Sequence, residues 1–221
     1  MARSARRPRA SREEQKQERF ARIREAAREL FLKKGYEATT LRMIARRAGV
    51  GPGTIFRYVA DKRDLLYLLF NDEHAQVTER AIAGTRSGRP FLDQCIDGFR
   101  HYYEYFGRNP EFARSVLREA TFYVPRPGNH AFEALQRSVA RIAGIVTRAR
   151  ERGEIDSPQD DAAIAHLIFE LYQIECRHWL ASPKPSVEDG LSSLRETLEL
   201  VARGLCPRSV PAGSKARAWN L

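Results

Sequence analysis

Residues 41–60, LRMIARRAGVGPGTIFRYVA, constrain the fold of this chain more than any other stretch. Two short runs carry apolar residues at helical spacing, at Ile44, Ala48, Val50 and Ile55. Three or four residues join them, with Gly49 at the join. Helices that cross at a steep angle need a small side chain where they touch, and Ala45 supplies it against Ile55. The tight turn needs a residue tolerant of positive φ, which Gly49 is. This is the pattern of a helix-turn-helix. A generic helical hairpin shares the apolar spacing but has less reason for a basic excess or for a second helix that opens on Gly51-Pro52-Gly53.

Charge points the same way. The 221 residues carry a formal +10, and residues 1–60 hold 16 Lys or Arg against 6 Asp or Glu, while the remainder holds 22 of each. All the excess positive charge therefore lies in the first quarter. That asymmetry implies a polyanionic partner, nucleic acid before anionic membrane. The cysteines Cys95, Cys176 and Cys206 are far apart and odd in number, which argues against a disulfide framework and fits a reducing cytoplasm. No apolar run approaches the roughly 20 residues needed to span a bilayer.

Helix punctuation is frequent and strand signals are nearly absent. Ser11 with Glu14 reads as a capping box before Phe20, Ile23, Ala27, Leu30 and Phe31, and Lys33-Lys34-Gly35 as the close of that helix. Thr40 caps a helix over 41–48. Pro52 suits the first turn of another, reaching Val59. Asp61 with Asp64 opens a longer helix through Ala83. Further helices are expected over Phe91 to Phe106, from Asn109-Pro110-Glu111 to Phe122, from beyond the PRPGN break at 125–129 to Arg152, from Ser157-Pro158 to Leu180, and over 187–205. The fold class is all-α, with about nine helices. The expected domains are a basic arm over 1–12, a helix-turn-helix domain over 13–60, a larger helical domain over 61–206, and a disordered tail over 207–221.

In a helix-turn-helix the second helix puts its N-terminal end into the major groove. Gly51 and Gly53 then let the backbone close on phosphate or base edges, Pro52 costs nothing in a first turn, and the helix N-terminus favours a phosphate. Thr54 offers a hydroxyl and a methyl. Arg57 is long enough to fork onto a guanine edge. Tyr58 can set its hydroxyl on a phosphate with its ring packed inward, and Lys62 and Arg42 project from first turns toward the DNA backbone.

The stretch GYEATTLRMIARRAGVGPGTIFRYVADKRDLL resembles the DNA-binding segment of the TetR/AcrR family of bacterial transcriptional regulators. Gly35-Tyr36, the TTLRMIA helix, AGVGPGTIFRYV and the spacing of Lys62 to Leu65 carry the resemblance. It implies DNA contacts from Thr40, Arg42, Pro52, Gly53, Thr54, Arg57, Tyr58 and Lys62. It further implies a dimer whose larger domain binds a small molecule that releases it from a palindromic operator. Phe56 departs from the tyrosine that many members have there, and Tyr58 from their histidine.

Beyond residue 66 the resemblance covers only length and helical layout. Val187, Leu191, Leu194, Leu198, Val201 and Leu205 recur in steps of 4, 3, 4, 3, 4, a narrow coiled-coil seam. Over residues 161–180, Ile164, Leu167, Leu171 and Ile174 mark one face and Ile168, Tyr172 and Trp179 another. One face for the core and one for a second copy of the chain predicts a four-helix dimer interface of Ile164, Leu167, Leu171, Ile174, Leu191, Leu194, Leu198 and Val201. Most of the aromatics crowded in the middle of the chain are expected to be core; the effector pocket is what the family resemblance implies, and the crowding places an apolar or aromatic effector near Phe106, Phe122, Phe169 and Tyr172, with Glu175 as a polar contact.

No GxSxG, HExxH or phosphate-cradling glycine loop is present, and His166 with Glu170 is too small a set for a metal. Neither enzymatic activity nor a cofactor is expected. The expected function is a ligand-released, DNA-binding repressor in the cytoplasm. The alternative is a constitutive or architectural DNA-binding protein without an effector.

Overall fold

A computed structural model describes residues 11–84, 88–120 and 130–205. Residues 1–10 of the expected arm, the 85–87 part of the first loop, Phe122, the 125–129 break, Cys206 and the tail lie outside these residues, while Ser11 and Arg12, the end of that arm, are the cap and first residue of a helix. The described residues form eight α-helices and one 3-10 turn, with no strand among them. The helices are α1 Arg12–Lys34, α2 Leu41–Ala48, α3 Lys62–Gly84, α4 Phe91–Arg108, α5 Pro110–Ala120, α6 His130–Glu151, α7 Asp161–Ala181 and α8 Val187–Leu205, with the 3-10 turn at Ile55–Arg57.

The start signals behave as their chemistry requires. Ser11 Oγ accepts the Glu14 N–H at 3.1 Å while the Glu14 carboxylate accepts the Ser11 N–H, a complete capping box. Asp61 accepts the Asp64 N–H at 2.9 Å, and Asp64 accepts from Ala60 at 2.8 Å. α7 begins later than the Ser157-Pro158 pair predicts. Asp160 is its cap, accepting the Ala163 N–H at 2.7 Å, and Ser157 is buried ahead of it. An N-cap carboxylate beside the positive helix end competes well against a serine three residues upstream.

The chain divides into two compact units. Among the described residues, one comprises 11–73 and 111–120 and the other 74–84, 88–110 and 130–205. The division falls inside α3 rather than at Asp61. Leu65, Leu66 and Leu69 of α3 belong to the first unit's core, with Ile23, Ala27, Phe31, Ile44, Ala45, Ile55 and Val116. α5 thus contributes to the first unit, where Arg118 also pairs with Glu37.

In the second unit α6 packs on α7, α7 on α8, α8 on α4 and α4 on α6. Tyr172 sits among rings: Phe99 stacks on it at 4.5 Å between centroids, with Tyr102 at 5.5 Å, Phe169 at 5.7 Å and Tyr103 at 6.1 Å. Gly190 lets α8 approach closely, since a Cβ there would lie 2.5 Å from Tyr103 Cε1 and 2.8 Å from Trp179 Cδ1. Cys95 and Cys176 are free and buried, and burial pushes both thiols up to about 12. No helix among the described residues is long and apolar enough to cross a membrane.

Candidate DNA-reading surface and effector cleft

The first site is built on the turn after α2. Gly49 adopts φ 66°, ψ 37°, and its N–H reaches the Ala45 and Arg46 carbonyls, while the Val50 N–H returns to Ala45 O at 3.0 Å. Only a left-handed residue closes a helix this way, so the sequence requirement for glycine is met by the backbone itself. Ala45 and Ile55 are both fully buried, where the two segments cross. Thr40 caps α2 by accepting the Met43 N–H at 3.2 Å.

The second segment differs from expectation. Residues 52–54 are turns and only Ile55–Arg57 is helical, in 3-10 form, with the Thr54 N–H bonded to Gly51 O at 2.9 Å. Two glycines and a proline within three residues hold down helix propensity at this end. A three-residue turn has too little aligned backbone to act as a phosphate-binding helix terminus, which removes the dipole part of the argument for Gly51 and Pro52. The side chains remain presented. Arg42, Pro52, Gly53 and Arg57 are exposed, and Thr40, Leu41, Arg42, Pro52, Gly53 and Phe56 line one shallow groove. A Cβ on Gly53 would meet nothing within 4 Å, so this glycine leaves room for an outside partner and not for the chain's own packing. Phe56 is 61% exposed, a large apolar ring in a surface built for a polyanion, and sequence reasoning gave it no part.

Two of the expected contacts have internal work. Tyr58 is half-buried and its ring stacks on Phe20 at 5.8 Å and 9°, the inward packing expected of it. Lys62 donates to the Tyr36 carbonyl at 2.8 Å and to Glu37 O at 3.4 Å, with its ammonium 4.1 Å from the Tyr36 ring centroid. It ties the start of α3 to the 36–37 turn. Burial pushes the Tyr36 phenol up to about 12, so the ring keeps its proton.

The second site is a cleft within the second unit. Ala81 and Ile82 of α3, Gln94, Cys95, Gly98, Phe99 and Tyr102 of α4, and Ser138, Arg141, Ile142 and Ile145 of α6 line a narrow, open-mouthed cleft that encloses about 30 Å³. The exposed lining is nearly all apolar. The Tyr102 hydroxyl is 3.0 Å from Thr78 Oγ1 and 3.0 Å from Ser138 Oγ, so these polar groups satisfy one another. Burial, with the neighbouring Arg148 guanidinium, disfavours the charged form of Arg141.

Of the effector residues expected from aromatic crowding, Phe106, Phe169, Tyr172 and Glu175 are not in the lining of this cleft, and Phe122 lies outside the described residues. Phe106, Phe169 and Tyr172 are buried core, because large rings dominate buried area and pack on one another. Glu175 accepts from the Ser193 and Thr197 hydroxyls at 3.0 and 2.8 Å, a tie between α7 and α8. The cleft is marked instead by small residues, Cys95 and Gly98 one turn apart on α4 and Ala81 on α3, a signal present in the sequence but weaker than the aromatics.

The expected dimer seam also divides. Leu191, Leu194 and Leu198, and Ile164 of α7, are buried inside the chain's own unit and offer nothing to a partner. α8 spends its coiled-coil stripe on α4 and α7 of the same chain. Leu167 at 45% and Ile174 at 44% remain exposed on α7, and Leu200 at 69% on α8, while Leu171 and Val201 are half-buried.

A basic helix-turn-helix unit joined in one chain to a helical unit with an apolar cleft defines a one-component DNA-binding regulator. Residues 23–67 match the family model of bacterial regulatory proteins, tetR family. The HTH-type transcriptional repressor KstR of Mycobacterium tuberculosis is 30% identical over 173 residues, covering 76% of this chain and 73% of that one. The fatty acid metabolism regulator protein of Bacillus subtilis is 24% identical over 194 residues, 86% of this chain and 97% of that one. Among solved structures, the Thermus thermophilus FadR, a TetR-family repressor crystallised with lauroyl-CoA, superposes with a TM-score of 0.65 at 26% identity, over 89% of this chain and 100% of that one. This chain belongs to the tetR family of bacterial regulatory proteins. Its function is that of a transcriptional repressor that binds double-stranded DNA as a homodimer and answers to a small-molecule effector.

Proposed function

We propose that the effector is a fatty acyl thioester of the acyl-CoA class, and that its acyl chain occupies the cleft between α3, α4 and α6. The observation that carries this is the cleft's composition: an apolar lining with one arginine, Arg141, at the same site. An amphipathic anion is the ligand such a lining accommodates, its chain against Ile82, Ile142 and Ile145 and its charge toward the guanidinium. The regulators named fatty acid metabolism regulator and FadR, the latter with lauroyl-CoA in one case and stearoyl-CoA in another, support the choice of class.

On the DNA side, Arg57 reads a base edge and Thr54 a base or phosphate. Thr40, Arg42, Pro52, Gly53, Tyr58 and Lys62 hold the backbone. Leu167, Leu171, Ile174, Leu200 and Val201 form the dimer face. The protein works in the cytoplasm, as a regulator and not as an enzyme.

The test is a titration of the protein on a palindrome recovered by selection from random duplexes. Lauroyl-CoA or stearoyl-CoA is expected to weaken operator binding roughly 5–150-fold, the range of ordinary allosteric coupling, and free CoA to leave it unchanged. No response to either thioester at saturation contradicts the proposed class.

A further inference from the structure

Gln94 is a polar group that the apolar lining of the cleft does not explain. Gln94 is 0% exposed and lies on α4 one turn before Gly98. Its amide orientation is fixed by a partner: Nε2 donates to the Arg89 carbonyl at 2.7 Å. A carbonyl oxygen only accepts, so the NH2 group must face Arg89 and the oxygen must face elsewhere. That oxygen, Gln94 Oε1, is buried and no donor reaches it among the described residues. A buried acceptor left unsatisfied is costly, and native proteins rarely tolerate one without use.

The other polar groups of the lining do not supply the donor: the Arg141 guanidinium makes no hydrogen bond to this oxygen. The Tyr102 and Ser138 hydroxyls are engaged with each other and with Thr78. A donor carried by the ligand meets the requirement directly, and it must sit on the part of the ligand that lies against apolar side chains.

We infer that Gln94 selects the effector: the cleft takes an acyl thioester bearing a hydroxyl on its acyl chain, which donates to Gln94 Oε1, in preference to the plain saturated chain. This rests on the acyl-thioester reading above and goes beyond it by naming which acyl chain is preferred and the residue that chooses it. A site built to hydrogen-bond a substrate hydroxyl discriminates strongly against an analogue that lacks it, because the buried group is then left unpaired.

Calorimetric titration of the full-length dimer with lauroyl-CoA and with 3-hydroxylauroyl-CoA tests this. The wild type is expected to bind the hydroxylated thioester at least about tenfold more tightly, the equivalent of one buried hydrogen bond. Gln94→Met, close in shape but without the acceptor, is expected to lose most of that preference, and operator binding without ligand reports whether it is folded. If Gln94→Met does not fold, the wild-type preference stands as the deciding measurement, with Gln94→Leu as the second variant. Equal affinity of the wild type for the two thioesters overturns the inference and leaves the acyl-thioester reading intact. A wild-type preference that Gln94→Met preserves overturns the role of Gln94. Binding of neither thioester overturns both readings.

Discussion

The two units of this chain carry function in opposite ways. In the first, the functional groups stand outside a filled core: Ile44, Ala45 and Ile55 are fully buried, and Arg42, Phe56 and Arg57 project from the scaffold they make. In the second, the proposed function lies in a space that the packing leaves open, and the residues that define it matter for what they do not fill. A surface site is specified by residues that can be named in advance. A cleft is specified by the difference between the helices' separation and the side chains between them, and that difference belongs to the assembled unit.

The largest effect is expected from a cavity in the first unit. Ile44→Ala removes a fully buried side chain at the α2 crossing and is expected to cost about 2–5 kcal/mol. Thermal unfolding should show the loss, and DNA binding should fall with the folded fraction. Undiminished stability would mean that the crossing does not hold the reading turn.

Next is overfilling of the second unit. Gly190→Ala puts a Cβ within 3 Å of Tyr103 and Trp179, whose rings are hemmed in by their neighbours. A cost of roughly 1–3 kcal/mol is expected in thermal unfolding. An unchanged melting temperature would show that α8 can move away freely.

These two sites also show what the sequence revealed. The helix-turn-helix was legible because its demands are local. Gly49 must take a left-handed backbone and Ala45 must be small, whatever the rest of the chain does. The opening of the second segment was less so. Gly51-Pro52-Gly53 fits a helix start, but the balance between three weak helix formers and a single following turn gives a 3-10 turn. The 4-3-4-3-4 stripe of α8 was legible as a seam but not as to its partner. Apolar periodicity says that Leu194 and Leu198 are covered, and the sequence holds nothing that distinguishes α4 of the same chain from a second copy. Tyr172 and Phe169 are conspicuous in the sequence because they fill space, while Cys95, Gly98 and Ala81, which border the cleft, are inconspicuous because they do not.

Smaller effects sharpen the reading surface. Arg57→Ala is expected to cost roughly 1–3 kcal/mol on the preferred operator and to relax preference at one base pair. Measured on operator and random DNA, an equal loss on both would make Arg57 a phosphate contact. Thr40→Ala removes the α2 cap and is expected to cost about 1 kcal/mol of stability. If DNA affinity drops while chemical denaturation is unchanged, Thr40 serves the DNA and not the helix.

An acyl thioester that acts as the proposed effector must link the cleft of the second unit thermodynamically to the reading surface of the first. The most direct measurement is the affinity of lauroyl-CoA for the protein alone and for the protein saturated with operator, set beside the operator affinity with and without lauroyl-CoA. Linkage requires the two ratios to be equal. The expected result is the same weakening, roughly 5–150-fold, from both sides, abolished by Ile82→Trp, which adds bulk to the cleft. Lauroyl-CoA that binds the free and the DNA-bound protein equally well would contradict the account.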